Sequence, residues 1–323
     1  MPILSLCLLA ILALRFNRNI DLSDPTLTMA EIGDAAQYIG LVFRFRGEAP
    51  RTTLTAPFVY RPLVPMLAAL LPFEAHTAIK LINAGALLAA LWFLYLIMAQ
   101  LGVHPLLRLV GCELFVFAPP MLNFAVNAHV DAVLIGLLTV GFYFILTHRY
   151  GYAAAIILVG CLVKETIIIL FPVWLVHAWL SQRKQIYLIP LAALLTTLTM
   201  ISIRVISPDP AYVWTPNLAI LKSNLSLSHV ANCLFVFGLP GLLSLTFLFY
   251  LKRKDFVELA PYLVGLCMAV LLTVYAAFSA WLDGRFSWTT YPFSIPLAML
   301  AIERFFLCKV KITWPWPWPR LWV

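Results

Sequence analysis

The residues best suited to chemistry are the charged and polar side chains that interrupt an otherwise apolar chain of 323 residues. Carboxylates can accept protons, and the cations of Lys and Arg can bind anions. Ionisable residues at membrane depth are costly, so by default they mark binding sites or transport pathways. The candidates occur in pairs along the chain: Asp34 with Tyr38, Tyr60 with Arg61, Asn127 with Asp131, Lys164 with Glu165, and Asp283 with Arg285.

The composition excludes a soluble protein. Hydrophobic residues make up 63% of the chain and charged residues only 11%, and the mean hydropathy is +0.94, whereas soluble domains carry about 25% charged residues. The roughly 200 apolar residues could fill about ten spans of ~20 residues each. That leaves no stretch for a separate soluble domain. The sequence therefore predicts an all-α, polytopic membrane protein in which residues 1–323 form one integral membrane domain.

The predicted spans are long apolar runs without Asp, Glu, Lys or Arg. Residues 81–107, 230–251 and 259–282 are each long enough to cross a bilayer. Residues 2–14 have no basic start and no A-x-A cleavage site, which favours a short first span over a signal peptide. The shorter uncharged runs are 114–130, 132–148, 150–163, 166–182, 186–203 and 286–302.

Residues 150–182 can be interpreted as one span with a buried ion pair, or as two short spans that meet at Lys164-Glu165. Two spans place Arg149, Arg183-Lys184 and Lys252-Arg253-Lys254 on one side of the membrane, as the positive-inside rule requires. This interpretation gives about ten spans with both termini cytoplasmic. The first extracytoplasmic loop, residues 15–77, carries several arginines against the rule, but long loops obey it poorly.

With this topology, the candidate residues fall on the extracytoplasmic side and predict a polar cavity that opens outward. Each also has a purely structural interpretation. Asp131 is typical of the start of a helix. Lys164 and Glu165 can be charges placed at the membrane interface, and Arg285 can simply pair with Asp283. In the first loop, Asp34 suits the cap of an amphipathic helix at 34–46, and the arginines of 44–51 suit lipid headgroups.

Other classes of function find no support. The net charge of +8 is interpreted as a topology signal in loops, not as a nucleic-acid surface. No His, Cys and carboxylate set has metal-ligand spacing, so no structural metal is predicted, and no glycine-rich nucleotide loop occurs. The six cysteines have no C-x-x-C pair and are typical of small buried residues. They are Cys7, Cys112, Cys161, Cys233, Cys267 and Cys308.

The order of the motifs resembles the GT-C superfamily of integral membrane glycosyltransferases, in particular its bacterial members. The matching motifs are Asp34 with Tyr38, the Phe-Val-Tyr-Arg-Pro-Leu-Val-Pro stretch at 58–65, Asn127-x-x-x-Asp131, Lys164-Glu165-Thr166, and Arg285 followed by Tyr291-Pro292. The chain departs from the superfamily pattern in two respects. Ala35 follows Asp34 where a second acid often stands, and no large soluble domain follows the last span.

The resemblance implies a GT-C-like bundle whose large first extracytoplasmic loop bears amphipathic helices. It also implies transfer of a sugar from a polyprenyl-phosphate-linked donor to an acceptor hydroxyl on a glycan, lipid or protein. The lipid-linked sugar is then a co-substrate, and no other cofactor is expected. The expected location is the bacterial inner membrane, with the active face extracytoplasmic.

The resemblance also implies roles for the candidate residues. Asp34 is the expected base, and Lys164 and Arg285, with Arg61 third, are expected to hold the lipid phosphate. Glu165 and Asp283 are expected to orient these cations. The remaining substrate-binding candidates are Tyr38, Tyr60, Asn127 and Asp131.

Two rival functions share the polytopic form: a secondary transporter or lipid flippase, and a non-catalytic membrane assembly subunit. Transporters often contain internal repeats, and no clear repeat is visible here. An assembly subunit would tolerate a change at Asp34. The Pro- and Trp-rich tail at 309–323 cannot form a regular helix, and its aromatic content suits a membrane interface.

Overall fold

The computed structural model describes residues 29–50, 52–119, 121, 128–181, 184–207, 215–280 and 284–307. Twelve α-helices lie within these ranges. They are α1 (Met29–Phe45), α2 (Leu63–Ala69), α3 (Ala75–Gln100), α4 (Pro105–Val116), α5 (Asp131–Leu146), α6 (Tyr150–Cys161), α7 (Leu170–Leu180), α8 (Leu188–Ile206), α9 (Leu218–Asn224), α10 (Leu227–Leu248), α11 (Arg253–Ser279) and α12 (Tyr291–Ile302). Short 3₁₀ helices at Phe58–Tyr60, Glu165–Ile169, Lys184–Tyr187 and Gly284–Thr290 connect some of them.

The chain is an integral membrane protein, as its composition predicts. Within the described ranges, four helices are long and apolar enough to span a bilayer: Ala75–Gln100, Gln185–Ile206, Leu227–Leu248 and Asp255–Ser279. Three shorter apolar segments accompany them, at Asp131–Leu146, Tyr150–Cys161 and Glu165–Leu180. The prediction of an all-helical membrane bundle is confirmed, whereas the count of about ten spans remains a prediction. The expected first span at 2–14 and the tail at 309–323 lie outside the described residues.

The bundle has two chemically different ends. We call the end at which α5 begins and α6, α8 and α11 terminate the polar end. At the opposite end, here called the basic end, the backbone N–H of His104 donates to Glu303 and Arg304 pairs with Asp255. Helix α11 has 27 residues and a length of about 40 Å. It therefore runs the whole distance from Lys252 at the basic end to Ser279 at the polar end.

Residues 150–181 form two antiparallel segments, in agreement with the interpretation of this stretch as two segments that meet at Lys164-Glu165. Helix α6 stops at Cys161, and Lys164 is extended, with φ −165° and ψ 137°. The chain then reverses direction. A hydrogen bond of 3.1 Å between the hydroxyl of Tyr150, at the start of α6, and His177, near the end of α7, shows that these two ends lie side by side. Lys164 consequently stands at the tip of a helical hairpin.

Helix α1 matches the expected helix at 34–46 in position but differs in burial. Gly33, whose φ of 44° and ψ of −140° suit glycine, is not helical, so α1 consists of two helical pieces and Asp34 begins the second. This second piece is not amphipathic between Ala35 and Val42, because it is buried there on every side. Arg46, one of the arginines expected to contact lipid headgroups, binds the protein backbone. Its Nη2 donates to the carbonyl oxygens of Leu71 and Phe73, which follow α2, at 3.1 and 2.6 Å.

Candidate functional site

Arg285 lies at the centre of a buried cluster of charges at the polar end. It comes from the 3₁₀ segment that follows α11, and its Nη1 is 2.7 Å from Oδ2 of Asp34 on α1. The same nitrogen lies 3.9 Å from Oδ2 of Asp131, the first residue of α5. The cluster therefore joins three elements that are far apart in the sequence.

Lys164, at the tip of the hairpin, forms the second ion pair of the cluster. Its Nζ lies 2.5 Å from Oδ1 of Asp131, and both side chains are at most one-tenth exposed. Asp131 thus bridges Lys164 and Arg285. The ring of Phe286 lies beside both cations, with its centroid 5.6 Å from Nζ of Lys164 and 5.7 Å from Cζ of Arg285. An aromatic face attracts cations at such distances.

Arg61 forms a third ionic contact. Its Nε and Nη2 donate to the same oxygen of Glu165, at 3.1 and 2.9 Å, and its Nη1 donates to the hydroxyl of Tyr38 at 3.0 Å. Tyr38 is almost fully buried, and this burial raises the pKa of its hydroxyl although the Arg61 charge opposes the rise. Tyr38 therefore stays protonated and retains a proton to donate.

His129 connects the cluster to α3. Its Nδ1 lies 3.2 Å from Nη1 of Arg285, and its backbone carbonyl accepts from Nδ2 of Asn83 at 2.8 Å. Because guanidinium nitrogens only donate, Nδ1 of His129 must be an acceptor, so the ring is neutral. Burial, together with the Arg285 charge, accordingly lowers the pKa of His129 to about 4.

A cavity of about 250 Å³ opens beside these charges. Its polar wall holds four cations and two acids, namely Arg61, Lys164, Arg204 and Arg285 against Asp131 and Glu165. Its remaining wall is largely apolar and includes Ile168, Met200, Leu272, Tyr275 and Ala276. The excess of positive charge suits an anion, and the apolar wall suits a hydrocarbon chain.

Arg204 is the cation that the sequence did not single out. It lies in the last turn of α8 and is exposed at the rim of the cavity. Its guanidinium stacks on the ring of Tyr60, with 5.5 Å between Cζ and the ring centroid. Its signal in the sequence is a single charge that ends the uncharged run 186–203.

The structure brings together most of the predicted site residues. Ion pairs link Asp34, Asp131, Lys164 and Arg285, and a second set of contacts links Tyr38, Arg61 and Glu165. Members of both sets line the same cavity, as does Arg204, which stacks on Tyr60. Asn127 and Asp283 lie outside the described residues. The partner assignment differs from the prediction, because Asp34, the expected base, contacts Arg285, an expected phosphate ligand. Sequence reasoning gave no role to Arg204, His129, Asn83 or Phe286.

The purely structural roles that the sequence also allowed do not fully account for these residues. Asp131 does start a helix, but its carboxylate pairs with Lys164 and Arg285. Lys164 is buried rather than exposed at an interface. Four cations that converge on one small cavity can hold an anionic group by forked and point contacts. Asp34 contacts Arg285 but is not among the residues that line that cavity.

Comparison with known proteins gives one similar fold. No protein-family model matches the chain, and no curated protein matches its sequence. The structure is similar to that of ArnT from Cupriavidus metallidurans, which was crystallised bound to undecaprenyl phosphate. The TM-score is 0.60 at 14% sequence identity, and the similarity covers 94% of this chain but 60% of ArnT. The chain thus spans less than two thirds of the length of ArnT. The similarity confirms the predicted fold, an ArnT-like helical membrane bundle, at the level of the fold.

Proposed function

We propose that the protein is a glycosyltransferase that moves a sugar from a polyprenyl-phosphate-linked donor to an acceptor hydroxyl. The observation that carries this proposal is the amphipathic cavity, which combines a cationic wall with an apolar wall in a membrane protein of the GT-C fold. The lipid phosphate in the ArnT crystal has the same two chemical parts, a phosphate and a hydrocarbon chain.

The donor phosphate binds against the cationic wall. Arg61 and Arg285 supply planar forks, whereas Lys164 supplies a point charge. Glu165 and Asp131 hold these cations in position while the cavity is empty. As the glycosidic bond breaks, negative charge grows on the leaving lipid phosphate. Fixed cations in a water-poor site stabilise that charge more than water does.

The polyprenyl chain leaves the site between α8 and α11. Met200 of α8 faces the cavity from one side, and Leu272 and Tyr275 of α11 face it from the other. Both helices are apolar, and α8 is largely exposed along its length whereas α11 is partly exposed. A chain that passes between them stays in contact with the hydrocarbon of the bilayer. Arg204, stacked on Tyr60 at the rim, closes the phosphate end of this path.

Asp34 acts as the base on the acceptor hydroxyl. Asp34 is not among the residues that line the donor cavity, so we place the acceptor on the α1 side and the donor on the α11 side. Its contact with Arg285 orients the carboxylate. Donor binding then draws the Arg285 guanidinium toward the phosphate and leaves Asp34 freer to accept a proton. Asn127 and Asp283 keep their predicted substrate-binding roles, and no cofactor beyond the lipid-linked sugar takes part.

The polar end faces the extracytoplasmic side of the inner membrane. This orientation follows from the basic loops, because Lys252 and Arg304 lie at the opposite end of the bundle. Single cysteines at Ser226 and Lys252, in a chain without other cysteines, test it with a membrane-impermeant thiol reagent on intact cells. We expect labelling at position 226 only. Equal labelling at both positions would contradict the orientation.

Substitution of Asp34 by Asn tests the function. This change keeps the shape of the side chain but removes a basic oxygen, so transfer should fall by about 10²–10⁴-fold. The assay follows turnover of a labelled undecaprenyl-phosphate sugar in proteoliposomes with cell-envelope extract as acceptor, and undecaprenyl phosphate binding is measured separately. Binding should be retained.

Asp255→Asn is the matched control, since Asp255 pairs with Arg304 at the basic end and should leave turnover unchanged. Full transfer by Asp34→Asn would move the base elsewhere. A wild-type protein that does not bind undecaprenyl phosphate would overturn the proposal and favour the transporter alternative.

A further inference from the structure

A second cavity, which shares no lining residue with the first, lies between α4 and α10 on the membrane-facing surface. Its volume is about 660 Å³. Apolar side chains form almost all of its walls, including the exposed Phe117, Phe235 and Leu239. Among the residues that line it, Glu113 of α4 carries the one charge. We call this cavity the Glu113 groove.

The groove is fixed by a kink in α10. Gly238 has φ 57° and ψ −162°, a conformation suited to glycine. Pro240 follows, and since proline has no backbone N–H it leaves the carbonyl of Val236 without its helical partner. The hydroxyl of Tyr291 on α12 donates to that carbonyl at 2.6 Å. The kink is therefore satisfied from a neighbouring helix and is a stable part of the fold.

Three helices independently place the groove near the middle of the bilayer. Glu113 is nine residues from His104 at the basic end of α4, a rise of about 14 Å. Gly238 is ten residues from the end of α10 at Leu248, or about 15 Å. Tyr291 is twelve residues from Glu303, or about 18 Å. The hydrocarbon core of a bilayer is about 30 Å thick.

A carboxylate at this depth needs a positively charged partner. Glu113 is exposed, and the described part of the chain offers its carboxylate no hydrogen bond or ion pair. Charged groups at the bilayer centre are costly unless they are paired. Lipid headgroups remain at the interface, about half the core thickness away. A Lys or Arg in the middle of another transmembrane helix reaches the same depth directly.

We infer that the Glu113 groove docks a transmembrane helix of a partner protein that carries one Lys or Arg near its centre. The basic side chain pairs with Glu113, and the apolar side chains of that helix fill the groove between α4 and α10. Polar contacts between membrane helices, together with close packing, are what drive such associations. This docking surface is independent of the proposed transfer chemistry at the polar end.

Synthetic single-span peptides test this inference. Each has a Leu/Ala core, and they differ by a central Lys, a central Leu, or a Lys placed two turns from the centre. Association with the fluorescently labelled full-length protein is measured by energy transfer in phosphatidylcholine vesicles. We expect the central-Lys peptide to associate about tenfold more tightly than the other two, the effect of one interhelical polar contact.

Variants of the protein identify the contact. Glu113→Gln should reduce association of the central-Lys peptide to the level of the central-Leu peptide. Glu113→Lys should prefer a peptide with a central Glu, which a merely misfolded variant could not do. Glu258→Gln, an exposed carboxylate on α11, is the control and should change nothing. Equal binding of all three peptides, or full central-Lys binding by Glu113→Gln, would overturn the inference.

Discussion

The two ends of the bundle use the same residue types in opposite ways. At the polar end, Lys164 and Asp131 pair with side-chain exposures of 8% and 10%. At the basic end, Arg304 pairs with Asp255 at 39% and 20%. An exposed pair contributes little, because water and salt screen it. A buried pair is costly to form and costly to break, so it persists where a function requires charges in place.

Aromatic partners repeat this contrast. Arg204 stacks on Tyr60 at the polar end, and Arg108 stacks on Tyr95 at the basic end, with nearly equal distances of 5.5 and 5.6 Å. Of these two arginines, Arg204 lines the cavity and Arg108 does not. A contact at the basic end can therefore serve as the control for the similar contact at the polar end, because the two differ mainly in whether they lie at the cavity.

The largest difference should appear in stability. Lys164→Met leaves Asp131 buried without its nearest cation, and we expect the free energy of unfolding to fall by about 3–5 kcal/mol. Arg304→Met should have no measurable effect, because its partner is solvated. Denaturation in detergent micelles measures both. The double variant Lys164→Met/Asp131→Leu should recover most of the loss. Equal losses for the two single variants would remove the contrast between the ends.

His129 should contribute to the pH dependence of stability. Its pKa is about 4 in the folded protein and 6.5 in the unfolded chain. Only the unfolded chain takes up this proton as the pH falls from 6.5 to 4, so stability is complete above 6.5 and decreases through that window. The slope should approach about 1.4 kcal/mol per pH unit. His129→Gln should flatten it in denaturation measured at several pH values. An unchanged slope would assign the titration to another group.

Donor affinity should also differ between variants at the two ends, and this effect should be smaller than the effect on stability. Arg285→Lys keeps the charge but replaces a forked contact with a point contact, and undecaprenyl phosphate should bind about tenfold more weakly. Arg108→Lys at the basic end should leave affinity unchanged. Binding in nanodiscs measures both variants. Unchanged affinity for both Arg285→Lys and Lys164→Ala, in folded protein, would exclude these residues from the phosphate site.

The smallest effect should come from the stacked tyrosines. Tyr60→Leu removes the ring that orients Arg204, and donor affinity should fall by about 2–5-fold, the value of an exposed cation–π contact. Tyr95→Leu, which removes the ring beside Arg108, should not change affinity. The same nanodisc assay measures both. Equal losses for the two variants would indicate a general effect on folding.

The sequence predicted residue types at the site better than it predicted their partners. Asp34, Arg61, Asp131, Lys164 and Arg285 each stand out as charges beside apolar runs, and all of them meet at the polar end. Which acid contacts which cation depends on packing between distant helices, and no local pattern encodes that. Hence the contact between Asp34 and Arg285 could not be predicted.

The fold shows the same limit. Apolar length and the positive-inside rule were sufficient to predict a helical membrane bundle and the break near Lys164. Helix α1 was predicted as amphipathic from its polar residues, yet residues between Ala35 and Val42 are enclosed on all sides. Burial of that helix depends on α2, α3 and the 3₁₀ segment at 58–60 around it, which a local pattern cannot report.

The hairpin of α6 and α7 has a mechanical consequence for Lys164. At its far end, Tyr150 stacks on Trp174 with 5.6 Å between ring centroids and hydrogen-bonds His177. At its near end, Gly160 packs directly against Ile167. Because both ends of the hairpin are closed by these contacts, we expect it to move as one unit, about 18 Å long, whose tip carries the ammonium group of Lys164. A tilt of the hairpin at its far end would then shift that charge within the cavity.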